Sequence, residues 1–469
     1  MKRSKSQFTL GLALACVAIT FSLAVCAQAQ TLTYLAQFNG TNGTNPYGSL
    51  VQATDGNFYG ATRSGTFPYD GIFRVTPSGQ ISSVYTFCSL PKCADGEYTT
   101  APILGSDGNL YGVSSGGSNY TWSGALYRLT LEGQLTTLYT FCPQANCVGG
   151  EIPNGIIQGS DGNFYGTTSE GGTHDAGTIF QVSSTGTFKL LHSFCGGGCA
   201  GGGGPLVPLM QGSDGNFYGT TQNSEGGVVF ELTSSGNYKV VHRFCLPCIG
   251  GGNPVFSVPV QDATGNLFGT TIYADGGYNS GSVFEITPTN QYIVLHTFRF
   301  AGGVAPSTGL TLANDGNLYG VAINDDFDAG GNYSIIYEVT PTGEFTKLST
   351  SYNYPNGPLQ QGTDGNFYGT TLFVDDGEGY GLVLKLSNGL SPLVKTVPAG
   401  GKAGQSVIIL GNGLTGSTSV TFDGVAAEFT VESDTYIKAA VPAGATTGRV
   451  SVVTQTGTLN SNPQFVVTK

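Results

Sequence analysis

Charge is scarce in this chain. Asp, Glu, Lys and Arg make up 10% of its residues, against about a quarter in an ordinary globular protein. Basic residues are scarcer still: 18 Lys and Arg face 30 Asp and Glu, for a formal net charge of −12. A surface of that sign repels nucleic acid and anionic membranes, so neither is an expected partner. Histidine is limited to four residues. No GxSxG elbow accompanies any of them. No complete EF-hand loop is present, and the Asp-box of sialidases is missing. Beyond the amino-terminal leader, no apolar run is long enough to span a bilayer.

The leader reads as an export signal. Lys2, Arg3 and Lys5 precede a mostly apolar run from Phe8 to Val25, and "AQA" at Ala27–Ala29 offers a small-x-small cleavage site. Residues 1–29 are therefore expected to be removed. Retention of the run as an anchor is the alternative, and Val25 weakens a lipoprotein reading at Cys26. Cysteine usage agrees with export. Cys16 and Cys26 lie in the leader, and the other eight form four close pairs: Cys88 and Cys93, Cys142 and Cys147, Cys195 and Cys199, Cys245 and Cys248. An even count in an exported chain predicts disulfides. "CLPC" at Cys245–Cys248 has zinc-like and redox-like spacing. Structural zinc needs about four ligands, and no helix follows the pair as a redox motif requires.

Glycine, by contrast, is abundant, with 74 residues. Much of it sits in a repeat. "DGNFYG" stands at Asp55–Gly60, Asp161–Gly166, Asp214–Gly219 and Asp364–Gly369. "DGNLYG" stands at Asp107–Gly112 and Asp315–Gly320, and "TGNLFG" at Thr264–Gly269. The copies are 49 to 54 residues apart, a period typical of propellers and solenoids. Each unit reads as four strands. In the third unit these are "PNGIIQG", a tight Asp-Gly turn, "NFYGTT", a Gly-rich loop, "TIFQVSS", a short turn and "FKLLHSF". The turn Gly supplies the positive φ. The closing Gly is expected to allow close packing between neighbouring sheets.

The chain ends favour a ring. After Leu382–Gly389 no fourth strand follows, whereas "TLTYLAQF" at Thr31–Phe38 matches the fourth strand "QYIVLHTF" at Gln291–Phe298. Pairing Thr31–Phe38 with Leu382–Leu386 would complete the last unit and remove an exposed edge. The expected fold is all-β: a seven-bladed propeller over residues 30–389, closed by its amino-terminal strand. The tight turns then lie at one end of the strands, and the variable Gly-rich loops and all four cysteine pairs at the other.

The blocks "GSDGNFYGTT", "GTIFQVSSTG" and "FKLLHSF" resemble the GloVer tandem repeat of exported bacterial surface proteins, over roughly residues 31–389. That resemblance implies a propeller-like exported protein and no established chemistry. Residues 390–469 resemble an IPT/TIG domain, an immunoglobulin-like sandwich. Pro398, Gly404, Ile409, Gly411, Val420, Phe422, Pro442 and Phe465 fall on that family's usual positions. Such a module usually serves as a spacer or contact domain.

Candidate chemistry is sparse. His192, His242 and His296 share a fourth-strand slot with Tyr85 and Tyr139, which makes it a packing position. His174 stands beside Asp175 without a third partner. Asp325, Asp326, Asp328, Asp375 and Asp376 give two loops the oxygen ligands calcium uses, but the expected cofactor is none. Tyr120, Trp122, Tyr273 and Tyr278 lie in variable loops and suit contact with a protein or a glycan. The expected function is non-catalytic binding through the loop face, outside the cell, at its surface or in the periplasm. The rivals are a carbohydrate-active enzyme with carboxylates at the channel and a purely structural envelope protein.

Overall fold

The computed structural model describes residues 30–63, 70–93, 95–116, 124–142, 146–195, 201–222, 226–244, 252–254, 257–273, 281–298, 304–324, 333–351, 353, 355–372 and 379–468. Among them, one 3-10 turn at Pro91–Cys93 interrupts an otherwise all-strand chain. No described helix is long and apolar enough to cross a membrane.

The repeats build a β-propeller. In the third unit, Glu151–Gln158, Phe164–Glu170, Thr178–Val182 and Phe188–Ser193 form an antiparallel sheet in chain order. The described residues hold seven such sheets. In the sixth, the inner strand is split into Val304–Pro306 and Thr311–Leu312, both paired with Leu318–Asn324. The last sheet closes as the strand count requires. Thr31–Gln37 pairs antiparallel with Leu382–Ser387, from Thr31 opposite Ser387 to Gln37 opposite Leu382.

The hexapeptide explains itself residue by residue. Gly162 takes φ 84° in the turn. Asp161 Oδ1 accepts the Asn163 N–H at 3.0 Å, and its Oδ2 accepts from Asn163 Nδ2 at 2.7 Å and from the Tyr165 hydroxyl at 2.7 Å. Asp, Asn and Tyr thus form one unit. The closing Gly166 does something other than expected. It lies opposite Phe180 in the same sheet, and a Cβ there would sit 2.5 Å from that ring. Its bareness makes room within the blade, not between blades. The two threonines after it also differ in role. Thr167 donates to Val207 O of the next blade at 2.9 Å, while Thr168 bonds Thr178 of its own sheet at 2.9 Å.

A residue three places before the hexapeptide links the blades. The Gln158 carbonyl accepts from the Ser106 N–H of the preceding blade at 2.8 Å, and its amide donates to Gly162 O at 3.1 Å. Gln211, Gln261, Gln361 and Gln52 accept likewise from Ser160, Ser213, Asn314 and Thr363. The last of these joins the seventh sheet to the first. Phe58 and Tyr368 stack across the same seam at 4.1 Å, so the ring is closed by polar and apolar contacts together. In the second and sixth blades Leu104 and Leu312 stand where the others have Gln.

The carboxy-terminal module is a sandwich. Lys395–Val397, Ser406–Leu410, Tyr436–Ala440 and Phe429–Val431 form one sheet; Val425–Ala426, Ser419–Phe422, Val450–Thr454 and Gly457–Asn460 form the other. Val407, Ile409, Val420, Phe422, Ile437 and Val452 fill its core. The intervening Ile408 and Leu410 face the propeller and join Ala53, Tyr59, Leu104 and Leu110 in a second cluster. A strand buried on both faces explains the unbroken run "VIIL". Polar contacts surround that patch: Thr435 to Thr54 O, Asn462 to Leu312 O at 3.0 Å, Asn314 to Ser391 O at 2.8 Å, and Lys395 to Gln361 O. The module therefore sits across the tight-turn end of the ring rather than hanging from it as a spacer.

Candidate functional site: the loop face

With the module on the tight-turn end, the Gly-rich loops form the other face. Among the described residues, Glu151 is the one ionisable side chain at the start of an inner strand; no acidic, basic or histidine side chain lies over 46–52, 98–104, 152–158, 204–211, 257–261, 305–312 and 355–361. Backbones crowd there instead. A Cβ on Gly48 would lie 3.0 Å from the Ala101 Cβ, and one on Gly357 would lie 2.4 Å from Gly48.

Ionisable groups gather at the loop-side ends of the first three blades. Asp95 is buried and fully engaged. It accepts from the Ser89 N–H at 2.9 Å, the Ser89 hydroxyl at 2.7 Å and the Tyr85 hydroxyl at 2.9 Å. Burial, with Asp70 and Asp95 nearby, raises the pKa of Glu97. Burial, with Glu170 and Asp175 nearby, does the same for Glu151. Each of these glutamates stands beside a disulfide, Cys88–Cys93 or Cys142–Cys147. The carboxylate and both sulfurs lie within 4.8 Å of one another. Sulfurs joined to each other are not the thiolates a metal requires.

Arg63 is an exposed cation of this region. Its guanidinium lies over the rings of Tyr47, at 5.0 Å, and Tyr98, at 5.2 Å. Tyr47 belongs to the first blade and Tyr98 precedes the inner strand of the second, so the three residues bridge a seam. No family pattern pointed to them. Their signal was that Arg63 is the one basic residue directly following the second strand in any unit.

The expected site residues divide as follows. Tyr273 is half-buried, and its backbone bridges Gly252. Tyr120, Trp122, Tyr278, Asp325, Asp326, Asp328, Asp375, Asp376, Cys199, Cys245 and Cys248 lie outside the described residues. Cys195 is described, but its expected partner is not. His174 Nδ1 bonds the Thr173 hydroxyl at 2.9 Å, while Asp175 accepts the Gly171 N–H at 2.9 Å. Neighbours in sequence, they are engaged separately. His192, His242 and His296 stack on Tyr238, Tyr292 and Phe345 of the following blade at 4.1, 4.2 and 4.2 Å.

Two overlapping matches to the model of the Gloeobacter/Verrucomicrobia repeat cover residues 19–207 and 98–333, about two thirds of the chain. The chain belongs to the Gloeobacter/Verrucomicrobia repeat family. In this Gloeobacter/Verrucomicrobia repeat protein, residues 392–467 also match the IPT/TIG domain. No curated protein matches it. Among solved structures it is similar to a gluconolactonase from Xanthomonas campestris, at 13% identity over 62% of this chain and 85% of that one, with a TM-score of 0.38. It is also similar to a calcium-binding regucalcin from Agrobacterium tumefaciens, at 14% identity over 63% and 90%, with a TM-score of 0.37. Prolyl oligopeptidase B from Galerina marginata gives 11% identity over 81% and 58%, with a TM-score of 0.45. At these scores no function carries over.

Proposed function

We propose that this repeat protein is an exported, non-catalytic binding scaffold whose ligand, a protein or a glycan, docks on the loop face. One observation carries the reading. Apart from Glu151 at the loop-side start of its strand, the described inner strands offer no acidic, basic or histidine side chain to the channel, while the polar side chains of the repeated frame serve as links between and within blades. General acid–base chemistry needs such groups within hydrogen-bond reach of the reacting atoms. Variation in length and chemistry is concentrated in the loops, where binding residues on rigid scaffolds are usually found. The leader and two disulfides support an exported location.

The test is a glycan and surface-protein binding screen on the mature chain, followed by Ala substitutions at Tyr120, Trp122, Tyr273 and Tyr278. A true aromatic anchor costs about 2 kcal/mol or more when truncated, roughly thirtyfold in affinity. Hydrolysis of a screened glycan, or binding that maps to 390–469, would sink the reading.

A further inference from the structure

We propose that the seam between the first and second blades is a subsite for a neutral saccharide, with Arg63 donating to paired hydroxyls beside Tyr47 and Tyr98. The proposal rests on the loop-face reading above and names a ligand class for it.

A repeated frame makes its exceptions visible. On the loop side several other seams carry direct contacts between blades. Asn356 Nδ2 reaches Pro46 O at 3.3 Å, and Asn154 Nδ2 reaches Pro205 O at 2.7 Å. The Gly before the third strand packs on a Pro of the next blade: Gly381 on Pro46, Gly124 on Pro153 and Gly281 on Pro306. The first seam has neither contact, and it differs from the others in what stands there instead. Tyr47 takes the place of the linking Asn. Thr99 takes the place of the Pro, since it bridges Ser114 as Pro355 bridges Thr371. On the opposite side Leu104 replaces the linking Gln. Tyr98 has φ 46°, and Asn45, Ile152 and Asn253, which stand before the corresponding prolines, have 47°, 53° and 52°. The unusual backbone thus belongs to the frame, and the aromatic ring on it is particular to this seam.

The substitutions also change the chemistry. They remove backbone-directed links and put an exposed guanidinium between two partly exposed rings. Among the described residues Arg63 has no ion-pair partner. Ring faces hold the guanidinium by cation–π attraction and fix its fork of N–H donors in advance. Such a fork fits paired oxygen acceptors, either a carboxylate or vicinal hydroxyls. The surrounding charge decides between them. Asp70, Asp95 and Glu97 stand at the same seam, and the whole chain carries −12. An anionic ligand would meet that repulsion, whereas a neutral polyol would not. Glu97 could also accept from a further hydroxyl.

The experiment uses the mature chain and titration calorimetry against neutral oligosaccharides and matched oligouronates. A neutral oligosaccharide is expected to bind, and Arg63→Gln, Arg63→Lys and Tyr98→Leu should each weaken it by roughly tenfold or more. Arg63→Lys keeps a cation over the rings and loses only the fork, so it separates recognition from folding. Melting temperatures of the three variants are compared with the parent. Stronger binding of uronates, failure of every neutral saccharide, or unchanged affinity in both Arg63 variants overturns the subsite. Binding that survives Arg63→Gln but is lost in Trp122→Ala or Tyr273→Ala overturns the subsite and leaves the loop-face reading standing. Binding that survives all of these substitutions, and Ala at Tyr120 and Tyr278 as well, overturns both.

Discussion

The Tyr111 hydroxyl donates to Asp107 Oδ2 at 2.8 Å, and Asn109 Nδ2 reaches the same oxygen at 2.7 Å. The fifth unit lacks both members of the Asp–Tyr pair. It has Thr264 and Phe268, and Asn266 is held instead by Asp262 at 2.9 Å. The carboxylate and the hydroxyl are absent together because either alone would leave a polar group half-satisfied. Tyr111→Phe should therefore destabilise the chain by about 1 kcal/mol. Phe268→Tyr alone should destabilise it too, and adding Thr264→Asp should recover the loss. Denaturant unfolding of the single and double variants measures the coupling. If Phe268→Tyr is as favourable alone as in the pair, the account fails.

Acid should weaken the ring through its outer strands. Burial lowers the pKa of His192, His242 and His296, each stacked on an aromatic ring of the next blade. The fold therefore favours the neutral imidazole, and the unfolded chain takes up protons first as pH falls. The contribution is complete above about pH 6.5 and is lost progressively as pH falls through that value towards the lower folded pKa. Tyr139 fills the same slot against Phe188 at 4.5 Å. Replacing all three histidines by Tyr should keep the stacking and flatten the fall in melting temperature between pH 7 and 5. A slope that persists would assign the acid sensitivity to other groups.

Much of the ring was legible because its signals are local and repeated. The Asp-Gly turns, the strand order and the missing last strand could be counted, and Thr31–Gln37 pairs with Leu382–Ser387 as that count requires. The docking of the module was harder to read. It depends on Ile408 and Leu410 meeting Leu104 over a separation of about three hundred residues, which no local period encodes. Two clues were present: the unalternating "VIIL" and the Leu in place of Gln before two of the hexapeptides. The Tyr47–Arg63–Tyr98 bridge was missed for the same reason, since its members meet only when two blades are side by side.

Docking of the module should strengthen with rising pH. Burial lowers the pKa of Lys395 to about 8, although Asp364, which also pairs with Lys385 at 3.4 Å, acts to raise it. Its ammonium donates to Gln361 O at the junction. Between that value and the ordinary lysine range the undocked state holds the extra proton, so raising the pH across this window favours docking. At pH 7 both states are protonated and the burial penalty is present in full. Lys395→Met should remove the dependence. The readout is the rate of protease cleavage between propeller and module from pH 7 to 10. An unchanged pH profile in the variant would show that Lys395 does not govern it.

Closure should depend on the amino-terminal strand. Phe38 is fully buried beside Phe73, Val383 and Tyr368, and Leu35 packs on the same cluster. Phe38→Ala should destabilise by about 3–5 kcal/mol. Deleting 31–38 should do more, because it bares the edge of Leu382–Ser387 to pairing between molecules. Size-exclusion chromatography should then show oligomers or aggregate. A monomeric, folded deletion variant would mean that the strand is dispensable.

The sharpest test of the blade links compares two opposite exchanges. Gln158 joins the Ser106 N–H to Gly162 O, so Gln158→Leu removes one amide and leaves two backbone groups without it. Both bonds are part-buried, and their loss should cost about 1 kcal/mol. Leu104→Gln is the reverse exchange at the seam where the link is absent. On the repeat's own logic it should stabilise, since it offers an amide towards Thr54 and the neighbouring turn. The structure argues the other way. Leu104 lies with Ile408 and Leu410 under the docked module, and an amide there loses apolar contact and gains no assured partner. Both exchanges should therefore lower the unfolding midpoint of the full chain, and only Leu104→Gln should also speed cleavage between propeller and module. A stabilised Leu104→Gln variant would mean that Leu104 is a lapse in the repeat and not a docking residue.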